Sequence, residues 1–361
     1  MQVRLPKRTF AEALGMLERI IPSRASNPAL THLRLEAGEG GLRLQASSGE
    51  LDLELAVPAE VTGEAVRLVP GQLIGQVVRN LPGELVELGL EDGQLTLESG
   101  SFATRLATAD PSEFPPLTFE AETVARLPAR ELARALARVR YAASGEDYRA
   151  IFRGVQLELH PTRLRSVASD GFRLALYDLE LALDAERKFV VPARSVDEIV
   201  RVLERTEGEV ALGLLGGHLT LGAEGFQLAA ALMEGEFPDY ERVIPPEFAL
   251  EVEIDAAALA DSLKRVKVLA DRNNHRVDLV FADGQLEVVA EGDYGRGVER
   301  LEVDARGEAQ MVLAYNAEYL EGALGPVAGK ARLRFSGPAS PSVIQDAEDG
   351  GYLAVVVPLR V

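Results

Sequence analysis

Three stretches of this 361-residue chain repeat one another at the spacing of a whole domain. Arg4-Leu5-Pro6 precedes Phe10, Leu14 and Leu17. Arg126-Leu127-Pro128 precedes Leu132, Leu136 and Val139, and Glu253-Ile254-Asp255 precedes Leu259, Leu263 and Val266. The starts lie 122 residues apart (4 to 126) and then 127 apart (126 to 253). Val69-Pro70 returns as Val191-Pro192, with Leu313-Ala314 a further 122 residues on; Glu113-Phe114-Pro115 returns as Glu236-Phe237-Pro238. Such a period is too long for a solenoid and has the size of a domain with its own core. The chain therefore reads as three copies of one domain: 1-122, 123-246 and 247-361. The connectors run from Pro115-Pro116 to Glu122 and through Pro245-Pro246-Glu247. Tandem copies of one fold point to geometry more than to chemistry.

Each copy has the same grammar. In copy one a short strand at Val3 to Leu5 leads into an amphipathic helix over about Lys7 to Ile20. Period-two strands follow at Leu33 to Leu35, Leu42 to Ala46 and Leu51 to Val57. A second helix over about Gly71 to Leu81 stops at Pro82-Gly83. The later helices are expected near Ala129 to Ala143, Ser195 to Arg205, Ala256 to Leu269 and Asn316 to Leu324. Hairpin turns are expected at Gly38 to Gly41, Asp92-Gly93, Gly216-Gly217 and Asp283-Gly284. The fold class is α+β, with two helices on antiparallel sheets in each copy.

Composition excludes several classes of function. The absence of cysteine removes disulfides, thiolate nucleophiles and cysteine metal sites. The N-terminal stretch has no apolar signal region and no run approaches membrane-spanning length, so a cytoplasmic protein is expected. The four histidines, His32, His160, His218 and His275, lack metal-ligand spacing. There is no phosphate loop, HExxH or Gly-x-Ser-x-Gly motif. Asp170 in Ser169-Asp170-Gly171 reads as a turn residue rather than an acid catalyst. No catalytic residue, metal or cofactor is expected.

The net charge of −19 argues against a nucleic-acid partner, since such domains are usually basic. The distribution of charge qualifies this. Of 38 basic residues only Lys7, Lys188, Lys264, Lys267 and Lys330 are lysines; the other 33 are arginines, whose planar fork suits phosphate. Arg130, Arg134 and Arg138 fall on one helix face, opposite Leu132, Leu136 and Val139. Arg194, Arg201 and Arg205 form a second ridge, opposite Val196, Ile199, Val200 and Leu203. Gln72, Gln76 and Arg79 form a milder ridge, and Lys264, Arg265 and Lys267 cluster on a fourth helix. The second helix of copy three departs from the pattern with Glu318 and Glu321. Each ridge also reads as a solvated helix face. A repeat-built scaffold that never touches DNA would explain the acidic balance but not the recurring arginines. An enzyme with a site between domains finds no support in the motifs.

Three segments carry a resemblance: Ser169-Asp170-Gly171-Phe172-Arg173-Leu174; Glu236-Phe237-Pro238-Asp239-Tyr240-Glu241-Arg242-Val243-Ile244-Pro245; and Tyr352 to Val361. Spaced this way in three repeats, they resemble the bacterial DNA polymerase III beta subunit, the replication sliding clamp, over the whole chain. The resemblance implies a head-to-tail homodimer closed into a ring around duplex DNA, with helices lining the hole and sheets outside. Twelve helices abreast at roughly 10 Å spacing make a circle about 38 Å across. One helix thickness of about 10 Å leaves roughly 28 Å for the duplex. Sequence-blind phosphate contacts suit a ring that slides.

The resemblance also implies site residues. DNA contact falls to Arg24, Arg79, Arg134, Arg138, Arg194, Arg201, Lys264 and Lys267. The dimer interface falls to Phe102, Leu106, Val268 and Leu269. A pocket for short peptide motifs of the replicative polymerase, the clamp loader and repair or translesion polymerases falls to Phe152, Gly171, Phe172, Arg173, Leu174, Pro238, Arg242, Val243, Val343, Val357, Pro358, Leu359 and Arg360. Phe172 stands where the family often has His, and Phe152 where Leu is typical. The tail Val357-Pro358-Leu359-Arg360-Val361 replaces Met-Pro-Met-Arg-Leu. The lining is thus stiffer than a methionine-rich one.

Overall fold

A computed structural model describes residues 1–91, 93–145, 150–282, 284–308 and 310–360. Asp92 and Asp283 of two expected turns, and Val361 of the tail, lie outside the described residues. Repeat one runs β1 (Gln2–Pro6), α1 (Lys7–Leu17), β2 (His32–Gly38), β3 (Gly41–Ser47), β4 (Leu51–Val57), β5 (Glu60–Thr62), β6 (Ala65–Pro70), α2 (Gly71–Arg79), β7 (Leu85–Glu91), β8 (Gln94–Ser99) and β9 (Phe102–Ala107). Repeat two runs β10 (Thr123–Pro128), α3 (Ala129–Arg140), β11 (Gly154–His160), β12 (Arg163–Ser169), β13 (Arg173–Glu180), β14 (Arg187–Pro192), α4 (Ala193–Leu203), β15 (Glu209–Leu215), β16 (His218–Ala223) and β17 (Phe226–Ala231). Repeat three runs β18 (Leu250–Asp255), α5 (Ala256–Lys267), β19 (Arg276–Ala282), β20 (Gln285–Gly292), β21 (Gly295–Glu302), β22 (Asp304–Gly307), β23 (Gln310–Asn316), α6 (Ala317–Leu324), β24 (Lys330–Phe335), β25 (Ser342–Asp346) and β26 (Tyr352–Val356).

Helices α1 to α4 each start directly after a proline (Pro6, Pro70, Pro128 and Pro192), which closes the preceding strand. In repeat three, side chains cap instead. Asp255 accepts from the Ala258 N–H and Asn316 from the Glu318 N–H. Asn316 is therefore a cap, not the first helical residue. Helices α1 and α3 stop sooner than their periodicity suggests, because the last turn tightens. Ile20 donates to the Leu17 carbonyl, and Ala142 and Ala143 donate to those of Val139 and Arg140. On α4, Val202 is fully buried where Val200 was expected, and Val200 is half-buried.

The chain falls into two compact units, Met1–Ala133 with Asp197–Leu232, and Arg134–Val196 with Met233–Val361. The first unit holds a five-stranded sheet, β5-β1-β7-β8-β9, and an eight-stranded sheet, β10-β15-β16-β17-β4-β3-β2-β6. The second holds a nine-stranded sheet, β14-β11-β12-β13-β26-β25-β24-β18-β22, and a four-stranded sheet, β21-β20-β19-β23. Both large sheets run across a repeat boundary. In the first, β17 pairs antiparallel with β4 (Phe226 opposite Leu55, Leu228 opposite Leu53, Ala230 opposite Leu51). In the second, β13 pairs antiparallel with β26 (Leu174 opposite Val355, Tyr177 opposite Tyr352). The six residues named at the first joint are buried, so apolar burial and a backbone ladder act together there.

Leu228 and Leu53 are both inaccessible to solvent. Truncating Leu228 to alanine should cost about 2–5 kcal/mol, read as a lowered denaturant midpoint. A change within error would show that this joint adds nothing to stability.

Candidate functional site

In the second unit an apolar surface builds up around the start of β13. Val167, Leu174, Leu176, Tyr240, Val343 and Val355 form a buried cluster, with Phe237, Ile244, Phe248 and Leu353 packed against it. Phe152 is buried as well, and its ring meets Phe237 edge-on at 6.0 Å. Three apolar side chains on the adjoining segments are reached by water: Phe172 (53 % exposed), Val243 (44 %) and Val357 (38 %). Of the expected pocket residues, Leu174, Val343 and Phe152 are therefore buried, while Phe172, Val243 and Val357 are exposed.

The exposed residues are positioned by backbone and polar contacts. The Ser169-Asp170-Gly171 segment is a turn, as expected: Asp170 Oδ1 accepts from the Phe172 and Arg173 N–H groups at 2.9 Å each. Gly171 supplies the required φ of +90°. Arg173 bonds Asp170 Oδ2 at 3.0 Å and lies over the Tyr319 ring at 4.8 Å, which in turn stacks with Phe172. The tail is bound at two points. Val357 N–H donates to the Phe172 carbonyl (2.9 Å) and Leu359 N–H to the Ala314 carbonyl (2.8 Å). Pro358 is buried, Leu359 half-buried and Arg360 exposed. Pro238 and Arg242 are exposed, and Arg242 pairs with Asp239 at 2.7 Å.

The Phe237-to-Val243 connector is anchored by a buried carboxylate. Glu158 Oε1 accepts from Tyr240 Oη (2.9 Å) and Gln156 Nε2 (2.6 Å), and Oε2 lies 3.0 Å from His160 Nε2. Burial works to raise the Glu158 pKa. The contacts from His160 and Tyr240, with the charges of Lys188 and Arg165, outweigh it and hold the group below the ordinary carboxylate range. Burial pushes the Tyr240 hydroxyl up to about 12, so it stays a donor. Arg165 grips Asp178 with two bonds of 2.7 Å and reaches Glu241 at 3.1 Å.

The expected DNA-facing cations are mostly engaged by acids. Arg79 pairs with Glu18 (2.6 Å), Arg201 with Glu198 (2.5 Å), Lys264 with Asp261 (3.1 Å) and Lys267 with Glu321 (2.8 Å). Arg138 pairs with Asp349 at 2.9 Å and lies over the Tyr177 ring, while Arg134 bonds Tyr177 Oη and sits 3.7 Å from Asp349. Only Arg24 and Arg194 of the eight are exposed without an ion-pair partner among the described residues. At the expected dimer interface, Phe102 (43 %) and Val268 (82 %) are exposed. Leu106 is buried, and Leu269 is half-buried beside Gly295 and Gly297. The four histidines are far apart in sequence, and no metal-capable group of three acids or histidines occurs among the described residues.

Comparison with known proteins decides among the readings. Residues 1–118, 126–239 and 241–360 match the N-terminal, central and C-terminal domain profiles of the DNA polymerase III beta subunit. The chain belongs to the DNA polymerase III beta subunit family. It consists of three clamp domains, and its function is that of a sliding clamp, a non-catalytic processivity factor of the polymerase holoenzyme. Beta sliding clamps of Caulobacter vibrioides and Streptomyces coelicolor are each 29% identical to it, over all of this chain and 100% and 99% of theirs. The crystal structure of the Thermotoga maritima beta subunit is 30% identical, with a TM-score of 0.93 over 100% of this chain and 99% of that one. The Streptococcus pyogenes beta subunit shares the fold at a TM-score of 0.94 and 22% identity.

Sequence reasoning missed Tyr319, Ala314 and Phe237, which contact the expected pocket residues Phe172, Leu359 and Phe152, and Glu18, Glu198 and Asp349 beside the expected DNA-facing cations. Glu18 and Asp349 carry no local signal, because they lie 61 and 211 residues from Arg79 and Arg138; Glu198 precedes Arg201 by three residues on α4, a helical spacing that was legible.

A depressed folded-state pKa contributes stability above the unfolded value, lost as pH falls through the folded one. Replacing Glu158 by Gln should therefore flatten the acid limb of stability below about pH 4.5, measured as the difference from wild type in denaturant midpoint. An identical acid limb would mean that Glu158 gains nothing from its partners.

Proposed function

We propose that two copies of the chain close head to tail into a ring around duplex DNA and bind peptide motifs of replication and repair proteins at the Phe172–Val243–Val357 surface. One observation carries the ring. Strands β4 and β13 are repeat equivalents, as are β17 and β26, and they form the joints β4–β17 and β13–β26. The next equivalents are β21 and β9, which are outer strands of their sheets. An exposed edge invites pairing, and the same joint made between two copies uses up both edges. The known joints also propose a register. Phe226 faces Leu55 and Tyr352 faces Tyr177. Positions 55, 177 and 299 are spaced by 122, so Phe102 would face Glu299 of the partner subunit, and Ala103 would face Val298 of the partner subunit. Phe102, Leu106, Val268 and Leu269 flank or lie on these strands.

The domain limits 1-122, 123-246 and 247-361 fit this scheme, because each joint strand then belongs to one domain. Arg24, Arg79, Arg134, Arg138, Arg194, Arg201, Lys264 and Lys267 are the proposed DNA contacts. Phosphate contacts of this kind are salt-sensitive and blind to sequence. The proposed partners are the replicative polymerase, the clamp loader and repair or translesion polymerases, in the cytoplasm. No helix among the described residues is long and apolar enough to cross a membrane.

The cysteine-free chain permits a clean test. With Ala103→Cys and Val298→Cys in one chain, oxidation should give a covalent dimer that remains on nicked circular DNA and leaves linear DNA. Absence of a cross-linked dimer, or equal retention on both DNAs, would overturn the ring. Deleting Val357 to Val361 should abolish binding of a polymerase-derived peptide while the dimer mass stays the same. Full peptide affinity in the truncated ring would remove the tail from the pocket.

A further inference from the structure

In the first unit, α1 and α4 enclose a groove of about 360 Å³ lined by Gly15, Met16, Arg19, Glu198, Arg201 and Arg205. One carboxylate, Glu198, serves two guanidinium groups. Arg19 Nε lies 3.3 and 3.1 Å from its two oxygens, and Arg201 Nη1 lies 2.5 Å from Oε1. Arg205, one turn beyond Arg201, is exposed and has no ion-pair partner among the described residues. Glu12, also on the rim, is taken by Arg8 at 2.9 Å. Three arginines and two glutamates thus line the groove, a local excess of one positive charge in a chain of net charge −19, and Arg8 outside it neutralises Glu12.

The floor of the groove is built with equal economy. Gly15 sits inside α1, where glycine is less stable than alanine. A Cβ there would meet no atom within 4 Å, so any side chain at this position would project into the opening. The groove therefore combines excess guanidinium with open space over Gly15. Its volume admits a phosphodiester group and several waters at about 30 Å³ each.

We propose that this groove seats a phosphodiester of the encircled DNA, and that Glu198 is an internal competitor for it. This rests on the ring reading above. A phosphate takes a bidentate grip from arginine much as a carboxylate does. To be held fully it must draw Arg19 and Arg201 away from Glu198, so part of the gain is cancelled at every step along the duplex. The hold stays shallow, as sliding requires. The same pairing recurs at Arg79 with Glu18 and at Lys267 with Glu321.

The test uses the full-length protein and a fluorescent 30-base-pair duplex. Glu198→Gln keeps the side-chain shape and removes the competing charge. It should tighten binding roughly three- to tenfold at low salt and steepen the log K against log[salt] slope by about one. It should also slow diffusion along long DNA. Arg205→Ala, at an exposed position, should weaken binding and flatten the slope by about one. Should E198Q fail to fold, R205A still tests the seat. If R205A weakens binding while folded E198Q does not tighten it, the competition is refuted. If neither variant moves the affinity or the slope, the groove is not a phosphate seat. Retention on circular DNA is read in parallel, so a failed ring is told apart from a failed groove.

Discussion

The structure depends on one device used twice: a sheet that does not stop at the end of a repeat. At β4–β17 and at β13–β26, the backbone ladder passes from one copy of the domain to the next. Each strand brings a buried apolar row to the joint, Leu51, Leu53 and Leu55 against Phe226, Leu228 and Ala230 in the first. A ladder and a core together fix register, because a one-residue slip would turn every apolar side chain to the wrong face. The contact units consequently cut across the repeats instead of following them. Strands β9 and β21 are the outer strands of their sheets.

Charge is handled with similar restraint. The chain is strongly acidic, yet its helices carry arginine ridges, and most of these arginines are matched by a nearby carboxylate. Exposed pairs of this kind contribute little to stability. Their consequence is electrostatic: a cation already paired offers less to an incoming phosphate. A ring that is topologically linked to DNA has no need of tight binding, and deep local minima would hinder its movement.

The pocket shows a different use of charge. Glu158 is almost inaccessible, and a buried carboxylate is costly unless its lone pairs are satisfied. Gln156, His160 and Tyr240 satisfy them, and Tyr240 belongs to the connector that carries Pro238, Arg242 and Val243. A segment with little regular structure is thus fixed to the β11–β13 sheet by one hydroxyl, one ring and the Arg165 bridge to Glu241. The tail is fixed differently, by backbone bonds to Phe172 and Ala314.

The repeat, the two helices per copy, the turn at Asp170-Gly171 and the family were all legible in the sequence. Periodicity, proline and glycine placement and long motifs are local signals, and they survive in a linear reading. Helix ends shifted by a few residues, because the tightening after Leu17 and Arg140 depends on packing. The choice between Val200 and Val202 on α4 was likewise decided by packing, since both fit a loose helical period. Which of the expected pocket residues are buried and which are exposed also required the tertiary structure. Leu174 and Phe172 are two residues apart, yet one is buried beside Val355 in the sheet and the other faces water. The pairing of arginines was least visible of all. Arg19 meets Glu198 across 179 residues, and only the folded chain brings such charges together.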